Sequence, residues 1–242
     1  EETREYRDQP ARFPREERDL PRLLRSLMNL RPPLPLDAEF IAVQDGLLTA
    51  EREERGVVDA GALPPAGGDP RLALWQGDIV RLRADAIVNA ANSALLGCFH
   101  PCHGCIDNAI HSEAGLQLRD ECARIMRAQG HPEPNGRAKL TKGYNLPAAH
   151  VLHTVGPIVR GAVTRRDRAE LAACYRSCLE LASAYGLTNV AFCCVSTGEF
   201  HFPNQEAAEI AVRTVTDFLR RPTSIRKVIF NVFKDLDADI YR

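Results

Sequence analysis

Residues 72–92, LALWQGDIVRLRADAIVNAAN, hold two short apolar runs, each closing on a polar turn. LALWQG and AIVNAAN are too short for helices and carry branched and aromatic side chains, so each reads as a strand. Outward from this pair the pattern alternates. A loop leads to a helix from Asp107 to Gln129, with Ile106, Ile110, Ala114, Leu118 and Cys122 spaced four apart and Gly130 as its stop. HVLHTVG (150–156) is the next strand, followed by a helix over Asp167–Tyr185, the strand NVAFCCVS, a helix over Gln205–Arg220 and the strand KVIFNVF. Strands alternating with helices specify an α/β domain with a largely parallel central sheet.

The chain changes character near residue 62. Residues 1–62 read as a helical N-terminal extension packing on the core, 63–70 as a linker and 71–242 as the α/β domain. A first helix is expected from Arg15 to Leu30, its apolar stripe made by Leu20, Leu23, Leu24, Leu27 and Met28. The prolines of RPPLPLD stop it, since proline cannot supply the helical donor. Asp37 then caps a second helix bearing Phe40, Ile41, Val43, Leu47 and Leu48, with Gly46 as its weak point. ALPPAGGDP has the composition of a connector.

Apolar residues make up 45% of the 242 and charged residues 26%, the balance of an ordinary globular protein. A formal net charge of −1 speaks against nucleic acid or an anionic membrane surface as partner. No apolar run reaches the length of a membrane span and no secretory signal pattern appears. The eight cysteines lack the density of a disulfide framework, and those at 122, 174, 178, 193 and 194 fall on apolar patterns. A reducing cytoplasm and a monomer are expected.

In open α/β sheets, ligands bind beyond the carboxyl ends of the strands. The polar loops fall there: GDI after the first strand, NAAN after the second, STGEFHFP after NVAFCCV and FKD after the last. Two of these loops run straight into helices, whose first amides attract phosphate. No G-x-G-x-x-G follows a strand, which argues against dinucleotide oxidoreductase chemistry.

The stretch GCFHPCHGCIDNAIH, 97–111, packs three cysteines and three histidines together. Cys98, His100, Cys102, His103, Cys105 and His111 are all candidate metal ligands, since zinc prefers thiolate and imidazole. Spacing alone also allows Cys102 with Cys105, a C-x-x-C pair that serves as zinc half-site or redox motif. His111, four residues after Asp107, reads as a satisfied, half-buried helical histidine.

GDIVRLRADAIVNAANSALLG, IDNAIHSEAG, LTKGYNLPAAHVLHTVGP and VSTGEFHFPNQEAA together resemble the macrodomain family, ADP-ribose-binding modules of three-layer α/β/α architecture with a mixed, largely parallel central sheet. The Cys/His stretch and the helical extension resemble its microbial zinc-containing subfamily, with the pattern GCFxPxHxCIDNxIH. The resemblance covers most of the chain. It implies zinc on Cys98, His103 and Cys105, with His100 and Cys102 at variable positions. It further implies that Asp78 and the Ile79 amide meet adenine, that Phe233 packs against it, and that Asn92 holds the distal ribose. Ser196, Thr197, Gly198, Glu199 and Phe200 would form a phosphate loop. Many macrodomains carry glycine where His201 stands.

Asp107 matches the catalytic aspartate of hydrolytic macrodomains, and Asn92 would assist it. Three protein ligands leave a fourth position open, the arrangement of a catalytic rather than a closed zinc site. The expected activity is zinc-dependent removal of mono-ADP-ribose from modified proteins, by cleavage at the distal ribose C1″ of an ester to Asp or Glu. Two rivals share the pocket: a reader that binds ADP-ribose without turnover, and a deacylase of O-acyl-ADP-ribose.

Overall fold

The computed structural model describes residues 19–242. Its centre is β4 (Ala86–Ala90), where Ala86, Ile87, Val88 and Asn89 are fully inaccessible. Such a strand must be flanked on both sides and covered on both faces. It pairs in parallel with β6 (His150–Thr154) and with β7 (Asn189–Phe192). Beyond β7 lies β8 (Lys227–Val232), and beyond that β2 (Leu72–Gln76), both parallel. The six-stranded order is β2-β8-β7-β4-β6-β5, closed by the antiparallel edge strand β5 (Ala138–Lys142).

Helices α5 (Arg165–Ala184), α6 (Asn204–Leu219) and α7 (Asp235–Tyr241) pack together as one outer layer. The other contains α3 (Ile106–Ala114) and α4 (Leu116–Gln129), with α1 (Leu20–Leu30) docked on α3. The fold is thus a three-layer α/β/α sandwich. Cys122, Cys174, Cys178 and Cys193 sit in the apolar core as small hydrophobes. Among the described residues no helix is long and apolar enough to cross a membrane.

Several elements differ from the sequence reading. The helix expected from Asp107 to Gln129 is two helices, broken at Gly115, whose φ of 94° a side chain would resist. The second helix starts afresh there, its Leu116 N–H donating to the Gln44 side chain of α2 (Ala38–Arg55). β5, the short α7 and a two-residue parallel pair, β1 (Val58–Asp59) with β3 (Leu82–Arg83), were not foreseen. β5 reads AKLTK and buries only Thr141, so it lacks the apolar alternation of a strand; lysines suit an exposed edge.

The N-terminal helices are present, and part of each apolar stripe docks: Met28, with Leu24 beside it, packs against Leu48 and Leu116. In α1 the buried residues are Ser26, Met28 and Asn29, while Leu20 is 50% exposed; residues 15–18 of the expected helix lie outside the described ones. In α2 Gln44 and Leu48 are buried, and Phe40, Val43 and Leu47 face outward. α2 continues through Gly46 without a break. Residues 62–70 are tied down: Lys227 Nζ donates to the Leu63 carbonyl and Ala66 N–H to that of Leu72.

Candidate active site

β4 delivers two asparagines, three residues apart, to its carboxyl end. Asn89 is buried inside the sheet and Asn92 lies at the rim. Asn89 Nδ2 donates to Asp107 Oδ1 at 2.8 Å, and Asn92 Nδ2 to Asp107 Oδ2 at 3.2 Å and the Gly97 carbonyl at 3.0 Å. Each carboxylate oxygen of Asp107 is therefore gripped by a side-chain amide, one from β4 and one from the turn that follows it. The residue lies in the first turn of α3, where the helix dipole favours negative charge. Burial nevertheless pushes its pKa up to about 6, against the lowering influence of Asn89, Arg119 and Asn92. Asn92 was expected here. Asn89 was not, although its alternation with Val88 in a buried strand was the available signal.

Gly97 opens the Cys/His loop at φ 80°, and a Cβ there would lie 2.8 Å from the His111 ring. Gly97→Ala is expected to cost about 1–3 kcal/mol by overpacking, read as a lowered midpoint in urea unfolding. An unchanged midpoint would show that ring and loop can part freely.

Behind Asp107 lies a sealed polar group. His111 is buried rather than half-buried, its Nε2 is 3.6 Å from Asp107 Oδ1, and neither ring nitrogen has a hydrogen-bond partner among the described residues. Burial first, then His153 and Arg119, holds its pKa well below the usual histidine range, so it is neutral. His111, Cys122 and His153 place three ligand atoms within 4.8 Å of one another. They do not make a metal site. Asn89 Nδ2 donates to His153 Nδ1, which fixes the proton on Nε2, and Nε2 donates to Thr141 Oγ1 at 2.9 Å. His153 then has no lone pair to offer.

The loop itself brings Cys98, His103 and Cys105 together, their ligand atoms all within 4.8 Å of one another. Cys98 Sγ and His103 Nδ1 are 3.7 Å apart, against about 3.6 Å for thiolate and imidazole on one tetrahedral ion. Cys105 caps α3 and accepts from the Asn108 N–H, yet its burial, with Cys98 and Asp107 nearby, raises the thiol pKa to about 12. A cation between the three groups would remove that penalty. Cys102 stands apart: its thiol donates to the Arg22 carbonyl of α1. His100 packs edge-on against the His103 ring.

His103 Nε2 lies 3.7 Å from Glu199 Oε1, so the Cys/His loop meets the loop after β7. That second loop, 193–203, turns through positive φ at Ser196 and His201, which explains why glycine suits the His201 position. Phe202 N–H donates to the Ser196 carbonyl, and Thr197 Oγ1 to that of Cys194. Gly198 and Glu199 are exposed and Phe200 is half-buried. The Ser196 hydroxyl is buried without a partner among the described residues.

At the other end of the same sheet edge stand Asp78, Ile79 and Phe233. Register puts Gln76 opposite Val232, so Asp78 and Phe233 emerge side by side from β2 and β8. The Asp78 carboxylate accepts from the Val80 N–H, Ile79 is buried, and Phe233 is 74% exposed. Phe233 is thus no core aromatic. From β2 to β4 the strand ends span three strand spacings, about 14 Å.

Residues 88–211 match the profile described as the Macro domain. A protein-ADP-ribose hydrolase of Treponema medium is 50% identical over 233 residues, 96% of this chain and 89% of that protein. A namesake in Staphylococcus aureus (strain MSSA476) is 52% identical over 225 residues, covering 93% and 84%. Among solved structures, the Trypanosoma brucei macrodomain in complex with ADP-ribose superposes with a TM-score of 0.69 at 33% identity, over 89% of this chain and 93% of that one. With its sheet order, its strand-end asparagines and these likenesses together, the chain belongs to the macrodomain family.

Proposed function

We propose that this protein is a zinc-dependent hydrolase that removes mono-ADP-ribose from protein side chains, cleaving an ester at the distal ribose C1″. One observation carries the reading: a buried carboxylate, Asp107, is held by two amides beside a three-ligand cluster at the carboxyl end of the sheet. The relatives' names support the reaction class.

Asp78 and the Ile79 amide read the adenine edge while Phe233 stacks on its face. The loop Ser196-Thr197-Gly198-Glu199-Phe200 cradles the diphosphate, and Asn92 faces the distal ribose. Cys98, His103 and Cys105 hold zinc, which when bound supplies a Lewis acid for the ribose or the attacking water. Asp107 takes one proton from the water as its oxygen bonds to C1″. The C1″–O bond to the acyl group breaks, and the protein's carboxylate leaves with the bonding pair. Asp107 passes its proton to solvent. The products are ADP-ribose and a free Asp or Glu, and no other co-reactant is needed.

The test is release of ADP-ribose from an ester-modified protein, with and without chelator. Release should depend on zinc; chelator-resistant release would remove zinc from the mechanism, and no release would leave binding alone. Phe233→Ala should weaken ADP binding by about 10-fold, as loss of one stacking platform does, without lowering thermal stability because the ring is exposed. Unchanged affinity in calorimetry would take the adenine away from Phe233.

A further inference from the structure

The polar docking of α1 is directed at the Cys/His loop. Asn29 is 1% exposed and its amide spans two elements. Oδ1 accepts from the Cys102 N–H at 2.8 Å, and Nδ2 donates to Ser112 Oγ of α3 at 3.0 Å. Cys102 has φ 52°, a left-handed conformation that a non-glycine residue keeps only when its surroundings impose it. It sits between Cys98 and His103, and its own thiol is turned away towards the Arg22 carbonyl.

Two further ties join the same partners. The buried Arg119 donates from Nε to the Leu96 carbonyl at 2.7 Å, just before the loop, and from Nη1 to the Met28 and Asn29 carbonyls at the end of α1. Its guanidinium also covers the Phe99 ring within the loop at 4.4 Å. Arg25 donates to Asn108 Oδ1, whose Nδ2 donates to the His100 carbonyl. Leu96, Phe99, His100 and Cys102 are therefore all fixed, directly or through one side chain, to a helix far earlier in the chain (Asn29 to Cys102 spans 73).

We infer that α1 is part of the metal centre, and that Asn29 is a positioning residue which holds the 98–105 loop in the shape its three ligands require. This rests on the reading of Cys98, His103 and Cys105 as ligands. Asn29 touches no ligand atom. It acts by removing the loop's freedom before the ion arrives, so that binding does not have to order the backbone.

The experiment compares wild type, Asn29→Ala and Ser112→Ala in the full chain. Ser112→Ala breaks the same side chain's other hydrogen bond and leaves Cys102 held. In metal-free protein, hydrogen exchange at the Cys102 amide should quicken by about 10-fold or more in Asn29→Ala and stay near wild type in Ser112→Ala. Zinc affinity, from competition with a chromophoric chelator, should fall about 10–100-fold in Asn29→Ala, the range for lost outer-shell partners. Calorimetric binding of ADP, which stops short of the distal ribose, should match in all three.

Wild-type exchange and zinc affinity in Asn29→Ala would overturn the inference. So would equal losses in Ser112→Ala, or ADP binding lost in step with zinc, since either makes α1 a general support of the fold. A wild type that takes up no zinc defeats the ligand reading instead. The exchange comparison still decides then whether Asn29 holds the loop.

Discussion

Asp107→Ala is expected to slow ADP-ribose release from an ester-modified protein by about 10²–10⁴-fold, the usual worth of a positioned general base. Affinity for ADP-ribose should survive. Asp107 is 5% exposed and spends its hydrogen bonds on Asn89 and Asn92, so it offers the ligand little surface. Asn92 keeps its bond to the Gly97 carbonyl in the variant, and Asn89 its contact with His153. Folding should be tolerated, because the substitution also removes a carboxylate that burial disfavours. Single-turnover rates and calorimetry on the same preparation separate the outcomes. Unchanged turnover would exclude Asp107 as the base, and a protein with no turnover to lose would be a reader.

Cys98→Ser has the other large expected effect. One of the two thiolates in the three-ligand set is replaced by a weak, neutral oxygen, so zinc affinity should fall by at least about 100-fold, beyond what loss of an outer-shell partner costs. Purified wild type should carry one equivalent of metal, and the variant far less. Hydrolysis should disappear with the metal, while ADP still binds at the Asp78 and Phe233 end of the cleft. Full metal content in the variant would mean that Cys98 is not a ligand. Full activity without metal would confine the cluster to bracing the loop.

The strands and helices of the sandwich were legible where burial imposes a period. β4, β6, β7 and β8 are buried on both faces and read as apolar runs, and α5 and α6 each have an apolar side. β5 was not legible because an edge strand has one partner and little burial to advertise. The break at Gly115 was overlooked because Ile106, Ile110, Ala114, Leu118 and Cys122 keep helical spacing straight through it.

The motifs pointed to Asp78, Asn92, Asp107 and Phe233, which the fold sets along one edge of the sheet, and the Cys/His spacing contained the three ligand groups that the loop brings together. Asn89 was hidden by its strand, where a buried asparagine looks like an interruption rather than a support. The docking of α1 was the least legible feature. Its apolar stripe accounts for Met28 and Leu24 only, whereas Asn29 and Arg25 reach polar partners that lie far off in the sequence.

The place of β8 has a consequence for how the protein comes into being. Among the described residues β2 reaches the sheet only through β8, and β8 is the last of the described strands in chain order. A ribosome-bound chain that already displays Asp78, Asn92 and Asp107 still lacks the strand that sets Asp78 beside the rest. Residues 72–76 must wait for 227–232, more than 150 residues later (Leu72 pairs with Val228), before Asp78 can stand beside Phe233. Contacts so distant form late and slowly. A chain cut short anywhere before β8 would leave β2 without its place in the sheet and Asp78 apart from Asn92 and Asp107.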